Sequence, residues 1–225
     1  MAESVRVEVL SSVFQVRECG DIGHTLHVLL VRRDGGWALP GGDIGDRDTL
    51  PAAAQRHLGE QARLTRVAHL EQLSVFSDPD RVPETRTIAS TFLGLVPRDI
   101  PVESTSDDAL WVDVSDLPPL AYDHAQIVEQ ARRRLAAKLS YTNIAFALAP
   151  GTFPMSELSE IYGAALGYTV DATNLLRILS RRGVVVATGT VGRTGRSGGR
   201  PPSLYAFAET TLRVTDEFAT LRPPL

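Results

Sequence analysis

The chain has 225 residues, 43% of them apolar, and a net charge of −4, which suits one large packed domain or two small ones. Its single cysteine, Cys19, excludes an intramolecular disulfide and fits a reducing, cytoplasmic setting. No run reaches the eighteen or so apolar residues of a membrane span, and the opening M-A-E-S-V-R-V-E-V-L lacks a signal-peptide core, so a soluble protein without a membrane partner is expected.

In chain order, Val5 to Val16 alternates like a strand, and Thr25 to Val31 predicts a second, more apolar one. Thr49 to Gln61 predicts a helix, with Pro51 in the first turn where a missing N–H costs little. Val67 to Phe76 and Arg86 to Val96 are strand-like, separated by a polar loop, and Ala109 to Asp113 is a short strand. A helix starts at about Asp123 and runs to Leu139 or beyond. Ala149-Pro150-Gly151 then breaks the pattern. Met155 to Leu166 follows as a helix with Leu158, Ile161, Tyr162 and Leu166 on one face. Asp171 to Arg182 is another, capped by Asp171 and stopped by Gly183. Gly183 to Thr188 and Ser203 to Ala208 read as strands flanking the Gly/Arg hairpin loop Gly189 to Arg200, and the rest reads as a short terminal element or loose tail. The whole is α+β, divided into residues 1–139 and residues 140–225, the latter in the order of a winged helix-turn-helix.

Charge is divided unevenly. Residues 1–140 hold 21 acidic and 15 basic side chains, whereas residues 141–225 hold 6 and 8. Ala172 to Ala208 has six arginines and no acid, where average composition would place roughly four. The chain has 22 arginines and one lysine, Lys138, so the absence of acids is more telling than the arginine count.

Leu39-Pro40-Gly41-Gly42, followed by a loop, a helix and a correctly spaced Arg56, resembles the Nudix box. On that pattern Asp48 stands for the first Glu, Arg56, Leu58, Glu60 and Leu64 match, and His57, Gln61 and Arg63 replace Glu, Glu and Gly. A complete box puts three carboxylates at 57, 60 and 61, on one helix face by i, i+3, i+4 spacing, to hold hard cations against a diphosphate. Only Glu60 remains, so no catalytic residue, no metal ligand set and no cofactor are assigned, and Mg²⁺ binding is expected to be weak or absent. Arg63 would meet about 1–2 kcal/mol of strain in the left-handed turn that glycine takes, so a different helix end is expected. The segment L-E-Q-L-S-V-F-S-D-P-D-R, Leu70 to Arg81, resembles the pocket-bordering loop of ADP-ribose-type Nudix proteins. The implied effector contacts are Trp37, Arg56, Glu60, Asp78 and Arg81; an Arg56–Glu60 surface ion pair and an ordinary polar turn at Asp78 are the plainer alternatives.

In the second helix of the C-terminal half, Leu175, Leu176 and Leu179 form an apolar stripe. Thr173, Asn174, Arg177 and Arg181 lie opposite, residue types that read bases in a major groove. Arg182 suits a phosphate, and Arg193, Arg196 and Arg200 on the hairpin suit a minor groove or backbone. A solvated polar face is the alternative, though such a face usually mixes charge signs. Leu120-Ala121-Tyr122-Asp123-His124, the run Tyr141 to Leu148, Asn174-Leu175, Gly199-Arg200-Pro201 and Leu204-Tyr205 are similar to the Nudix-related transcriptional regulators of NAD metabolism. That resemblance implies a Nudix-like α/β/α sandwich followed by a winged helix, in a homodimeric repressor. It also implies a palindromic double-stranded DNA operator near NAD synthesis or salvage genes, released by an ADP-ribose-type ligand. Two other readings stay open: an ADP-ribose pyrophosphatase with a metal set built from Asp48, Glu60 and a carboxylate elsewhere, and a ligand-binding scaffold that meets protein.

Overall fold

A computed structural model of the chain describes residues 5–20, 23–33, 36–83, 85–101, 108–192 and 201–217. They fall into two compact units, one made of the described parts of residues 1–15, 26–96 and 101–134, the other of the described parts of residues 16–25, 97–100 and 135–225. No helix among the described residues is long and apolar enough to cross a membrane.

The first unit is built on a seven-stranded mixed sheet. Its strands are β1 (Arg6–Cys19), β2 (Gly23–Arg33), β3 (Gly36–Ala38), β4 (Gly41–Asp43), β5 (His69–Phe76), β6 (Thr87–Leu95) and β7 (Ala109–Asp113). The order is β3-β2-β1-β6-β5, with β4 on β1 and β7 on β2. β1 and β6 are parallel neighbours, whereas β4, β5, β3 and β7 pair antiparallel with theirs. Alternation in Val5 to Val16 suggests a strand with one wet face. Instead β1 is central and buried without interruption from Glu8 to Val16. Of its polar members, Glu8 is paired with Arg81, whereas the small Ser11 and Ser12 bury hydroxyls that have no hydrogen-bond partner among the described residues. β3 and β4 were not anticipated, since three residues show no period.

Helix α1 (Leu50–Ala62) is capped by Thr49, whose Oγ1 accepts from Ala52 N, with Pro51 in its first turn. Its alanines Ala53 and Ala54 pack against Val9 and Phe92, with Ile44, Leu50 and Leu70 around them. Fully burying a side chain such as Val9 or Phe92 contributes about 1.5–3 kcal/mol. Contrary to expectation, Arg63 does take the left-handed conformation at the helix end (φ 51°, ψ 24°). Its N–H bonds Gly59 O and the N–H of Leu64 bonds Leu58 O, which satisfies carbonyls that the helix end would leave open. Helix α2 (His124–Tyr141) buries Ile127, Val128, Ala131 and Leu135 and is tied to β5 where Ser74 Oγ donates to Gln130 and Arg134 donates to Leu73 O.

The C-terminal part of the second unit has a 3₁₀ turn (Ile144–Ala147), β8 (Phe153–Pro154), α3 (Met155–Leu166), α4 (Ala172–Arg181), β9 (Val185–Val191) and β10 (Ser203–Phe207). Gly167 (φ 79°) ends α3, and Asp171 caps α4 by accepting from Asn174 N at 2.7 Å. The strands form a sheet in the order β8-β10-β9, and Phe153 lies 5.3 Å from Phe207, ring to ring. The expected apolar stripe of α4 is narrower than its sequence suggests, because Leu175 and Leu179 are buried and Leu176 only half-buried.

Of the two expectations for the chain after Ala208, a short terminal element or a loose tail, residues 209–217 fit the first. Buried Asn143 donates to Glu209 O (3.2 Å) and Thr211 O (2.9 Å) and accepts from Arg213 N (2.7 Å). Thr142 bridges to Val214.

Candidate ligand cleft and nucleic-acid interface

Pro40, Gly41 and Gly42 carry β4 hard against β1. A Cβ at Gly41 would sit 2.0 Å from Val9 O, so no side chain fits there. The next turn is held by Asp48, which accepts from Gly45 N at 3.3 Å and from Arg56 Nε at 2.9 Å. Arg56 also reaches Asp43 O (3.2 Å) and Glu60 (3.3 Å). Its role is therefore internal to the loop and helix that carry it.

The two residues that replace carboxylates do related work. Gln61 grips Gly41 by both backbone groups, accepting from its N–H at 3.0 Å and donating to its C=O at 2.7 Å. His57 is buried. Its ring Nε2 lies 2.9 Å from Asp43 O, which can only accept, so Nε2 carries the proton and Nδ1 is free to accept from Gln61 at 3.2 Å. The Gln61 amide thus places N–H bonds between two acceptors, where a carboxylate set would require a cation. Arg33 also donates to Gly41 O, so both lone pairs of that carbonyl are taken.

These residues do not fit the Mg²⁺ ion of a complete box, which needs octahedral oxygen ligands. Among the described residues, no group of three or more His, Cys, Asp or Glu is arranged to hold a metal. The fit fails on donor chemistry: at 61 a donor faces the carbonyl, at 57 an imidazole is committed to Asp43, and Glu60 is paired with Arg56.

Beside this face lies a cleft of about 520 Å³ lined by Arg32, Arg33 and Arg63, with Glu60, Gln61 and Asp108. The three arginines were not anticipated. Arg32 and Arg33 come from the end of β2 and Arg63 from the end of α1, so nothing local in the sequence pairs them. Of the expected effector contacts, Glu60 lines this cleft, and Trp37 is half-buried with the Arg32 guanidinium 4.9 Å above its ring.

Asp78 and Arg81 lie on another loop. Asp78 Oδ1 accepts from Asp80 N at 2.9 Å, closing its own turn. The Arg81 side chain is 1% exposed and bonds Glu8 at 2.7 Å and both oxygens of Asp123 at 2.7 and 2.8 Å. Burial opposes its charge, and the hydrogen bonds it donates to Asp123 and Glu8 outweigh that and raise its pKa. Next along the chain from Asp123, buried His124 accepts from Leu39 N at 3.0 Å through Nδ1. Burial lowers its pKa to about 4; Asp123 opposes the shift, and Arg81 and Arg33 reinforce it. This polar cluster fixes the residue before Pro40 to the first turn of α2.

In the second unit, Thr173, Asn174, Arg177 and Arg181 are exposed on α4. Arg177 donates to Asn174 Oδ1 at 2.7 Å, three residues back on the same exposed face. Arg182 behaves differently: it is half-buried, donating to Ser140 O (2.9 Å) and to Asp216 (2.5 Å). Arg193, Arg196 and Arg200 lie outside the described residues.

Known proteins share this combination. The NUDIX domain family matches residues 13–131, and the NrtR DNA-binding winged helix domain matches residues 145–207. The ADPR responsive transcriptional repressor NtrR of Acinetobacter baylyi is 30% identical over 194 residues, covering 81% of this chain and 76% of the repressor. The crystal structure of Shewanella oneidensis NrtR complexed with a 27mer DNA superposes with a TM-score of 0.75 at 28% identity, covering 89% of this chain and 93% of that one. An ADP-ribose pyrophosphatase of Methanocaldococcus jannaschii is 32% identical over 113 residues, 47% of this chain and 66% of the enzyme.

Proposed function

Since the chain belongs to the Nudix family and carries an NrtR-type winged helix, we propose that it is an ADP-ribose-responsive transcriptional repressor that binds its effector without cleaving it. The observation that carries this reading is the contrast within one chain. The box face is closed by its own hydrogen bonds, while α4 presents Thr173, Asn174, Arg177 and Arg181 outward from a stretch without acids.

The repressor acts as a homodimer on a palindromic operator. Two copies of α4 about 34–36 Å apart would enter successive major grooves on one side of the DNA. ADP-ribose then releases the operator by favouring another spacing, with a coupling of about 1–3 kcal/mol. A gel shift of the DNA upstream of NAD synthesis or salvage genes, with and without ADP-ribose, tests this. Retarded DNA that is freed by ADP-ribose is expected; no retardation at moderate salt would sink the regulator reading.

Slow hydrolysis is the second reading, favoured by the likeness to the pyrophosphatase, by the matching Glu60 and by Asp48 in place of the first Glu. AMP release from ADP-ribose with Mg²⁺, abolished by Glu60→Gln, would establish it.

A further inference from the structure

We propose that the diphosphate of the effector is held in the 520 Å³ cleft by Arg32, Arg33 and Arg63, with no divalent cation. The inference rests on the effector reading above and adds the chemistry by which the ligand's charge is met.

Three observations converge on it. First, the box face has no vacancy for a cation, because Gly41 O already accepts from Gln61 and Arg33 and the Gln61 amide points donors where a metal would need acceptors. Second, three guanidinium groups border the adjacent cleft, and among the described residues none of them is salt-bridged to a carboxylate. Third, Glu60, the box carboxylate that lines the cleft, is partly neutralised by Arg56 at 3.3 Å. Guanidinium presents planar N–H pairs that match phosphate oxygens, keeps its charge at any working pH and is more weakly hydrated than ammonium. Arg33 stands closest to the role a metal would fill. It caps the Gly41 carbonyl with one N–H and has others left for a ligand. Arg32, stacked on Trp37, sets one side of the cleft, and Arg63 the other. An anion at the C-terminal end of α1 would meet the negative pole of the helix, which the Arg63 charge at that end offsets. The left-handed strain at Arg63 is consistent with such a role, since glycine would relieve it but carry no charge.

The test is isothermal titration of the full chain with ADP-ribose, in Mg²⁺ and in chelator at matched ionic strength. The Kd is expected to change by less than about twofold between the two, and Arg33→Gln and Arg63→Gly are each expected to weaken binding by about tenfold or more. Arg63→Gly should at the same time raise Tm, because glycine takes the left-handed turn freely, so its loss of affinity could not come from misfolding. Inorganic pyrophosphate should compete with ADP-ribose in chelator. A Kd that weakens tenfold or more on chelation, or variants that bind like the parent chain, would overturn the arginine clamp while leaving the effector reading intact. No binding in either medium would overturn both.

Discussion

Helices α1 and α4 both present polar faces, and they use them in opposite ways. On α1, Arg56, His57, Glu60 and Gln61 all have partners within a few residues of the loop they adjoin. On α4, Arg181 has no side-chain partner among the described residues, and Arg177 bonds only its neighbour Asn174. Sequence position in a catalytic motif therefore does not make a face available for chemistry. What counts is whether its donors and acceptors are already committed. A face that is satisfied internally is a scaffold, and one left open at 25 °C in water awaits a partner or stays solvated.

The comparison can be pressed hardest at the most internal group of the first unit. Arg81→Ala would leave Glu8 and Asp123 buried without their cation, so a loss of about 3–5 kcal/mol in urea unfolding is expected; a change under about 1 kcal/mol would mean that water replaces the guanidinium. His124 comes next. Its pKa is lowered to about 4, so the folded state excludes a proton that the unfolded chain accepts near 6.5. Its contribution is full above about pH 6.5 and is lost as the pH falls toward 4, by about 3 kcal/mol in all. His124→Asn keeps an acceptor for Leu39 N–H but cannot titrate, so its stability should fall less steeply across that range than the parent's. Equal slopes would assign the acid sensitivity to other groups.

Gln61→Glu tests the α1 side directly. It turns an oxygen toward Gly41 O in place of an N–H, and a loss of about 1–3 kcal/mol is expected without metal. If Mg²⁺ restores the loss, the face has been returned to a metal site; if the variant is as stable as its parent, the amide grip on Gly41 has been overstated. Arg177→Ala tests α4. Discrimination at one base position should drop by about 1–3 kcal/mol in competition binding with mutated operators. Uniform weakening across all sequences would make Arg177 a phosphate contact instead.

Periodic elements were legible in the sequence almost to the residue. The bounds of α3 match, α1 is displaced by one residue with Pro51 in its first turn as read, and Asp171 caps α4. β3, β4 and β8 were not, because two or three residues carry no period, and β4 exists through a backbone approach that only Gly41 permits. Site residues fared by the range of their interactions. Exposed side chains on one face of α4 follow from helical spacing alone. Arg81 could not be placed that way: an arginine in a polar loop reads as surface, and its partners Glu8 and Asp123 are 73 and 42 positions away. Arg32, Arg33 and Arg63 likewise meet only through the sheet. Arg182, read as a phosphate contact, donates to Asp216, in a segment that reads as a short terminal element or a loose tail.

The Asn143 amide makes that segment sensitive to length. Its bonds fall on residues 209, 211 and 213, on every second residue of this irregular segment. The amide works as a ruler. Inserting or deleting one residue between Glu209 and Arg213 would present the wrong edge of the backbone at the next mark. A chain cut after Ala208 would leave the ruler with nothing to measure and a buried polar group without partners. Residues 209 to 213 are therefore held in place by a side chain more than sixty residues upstream of them.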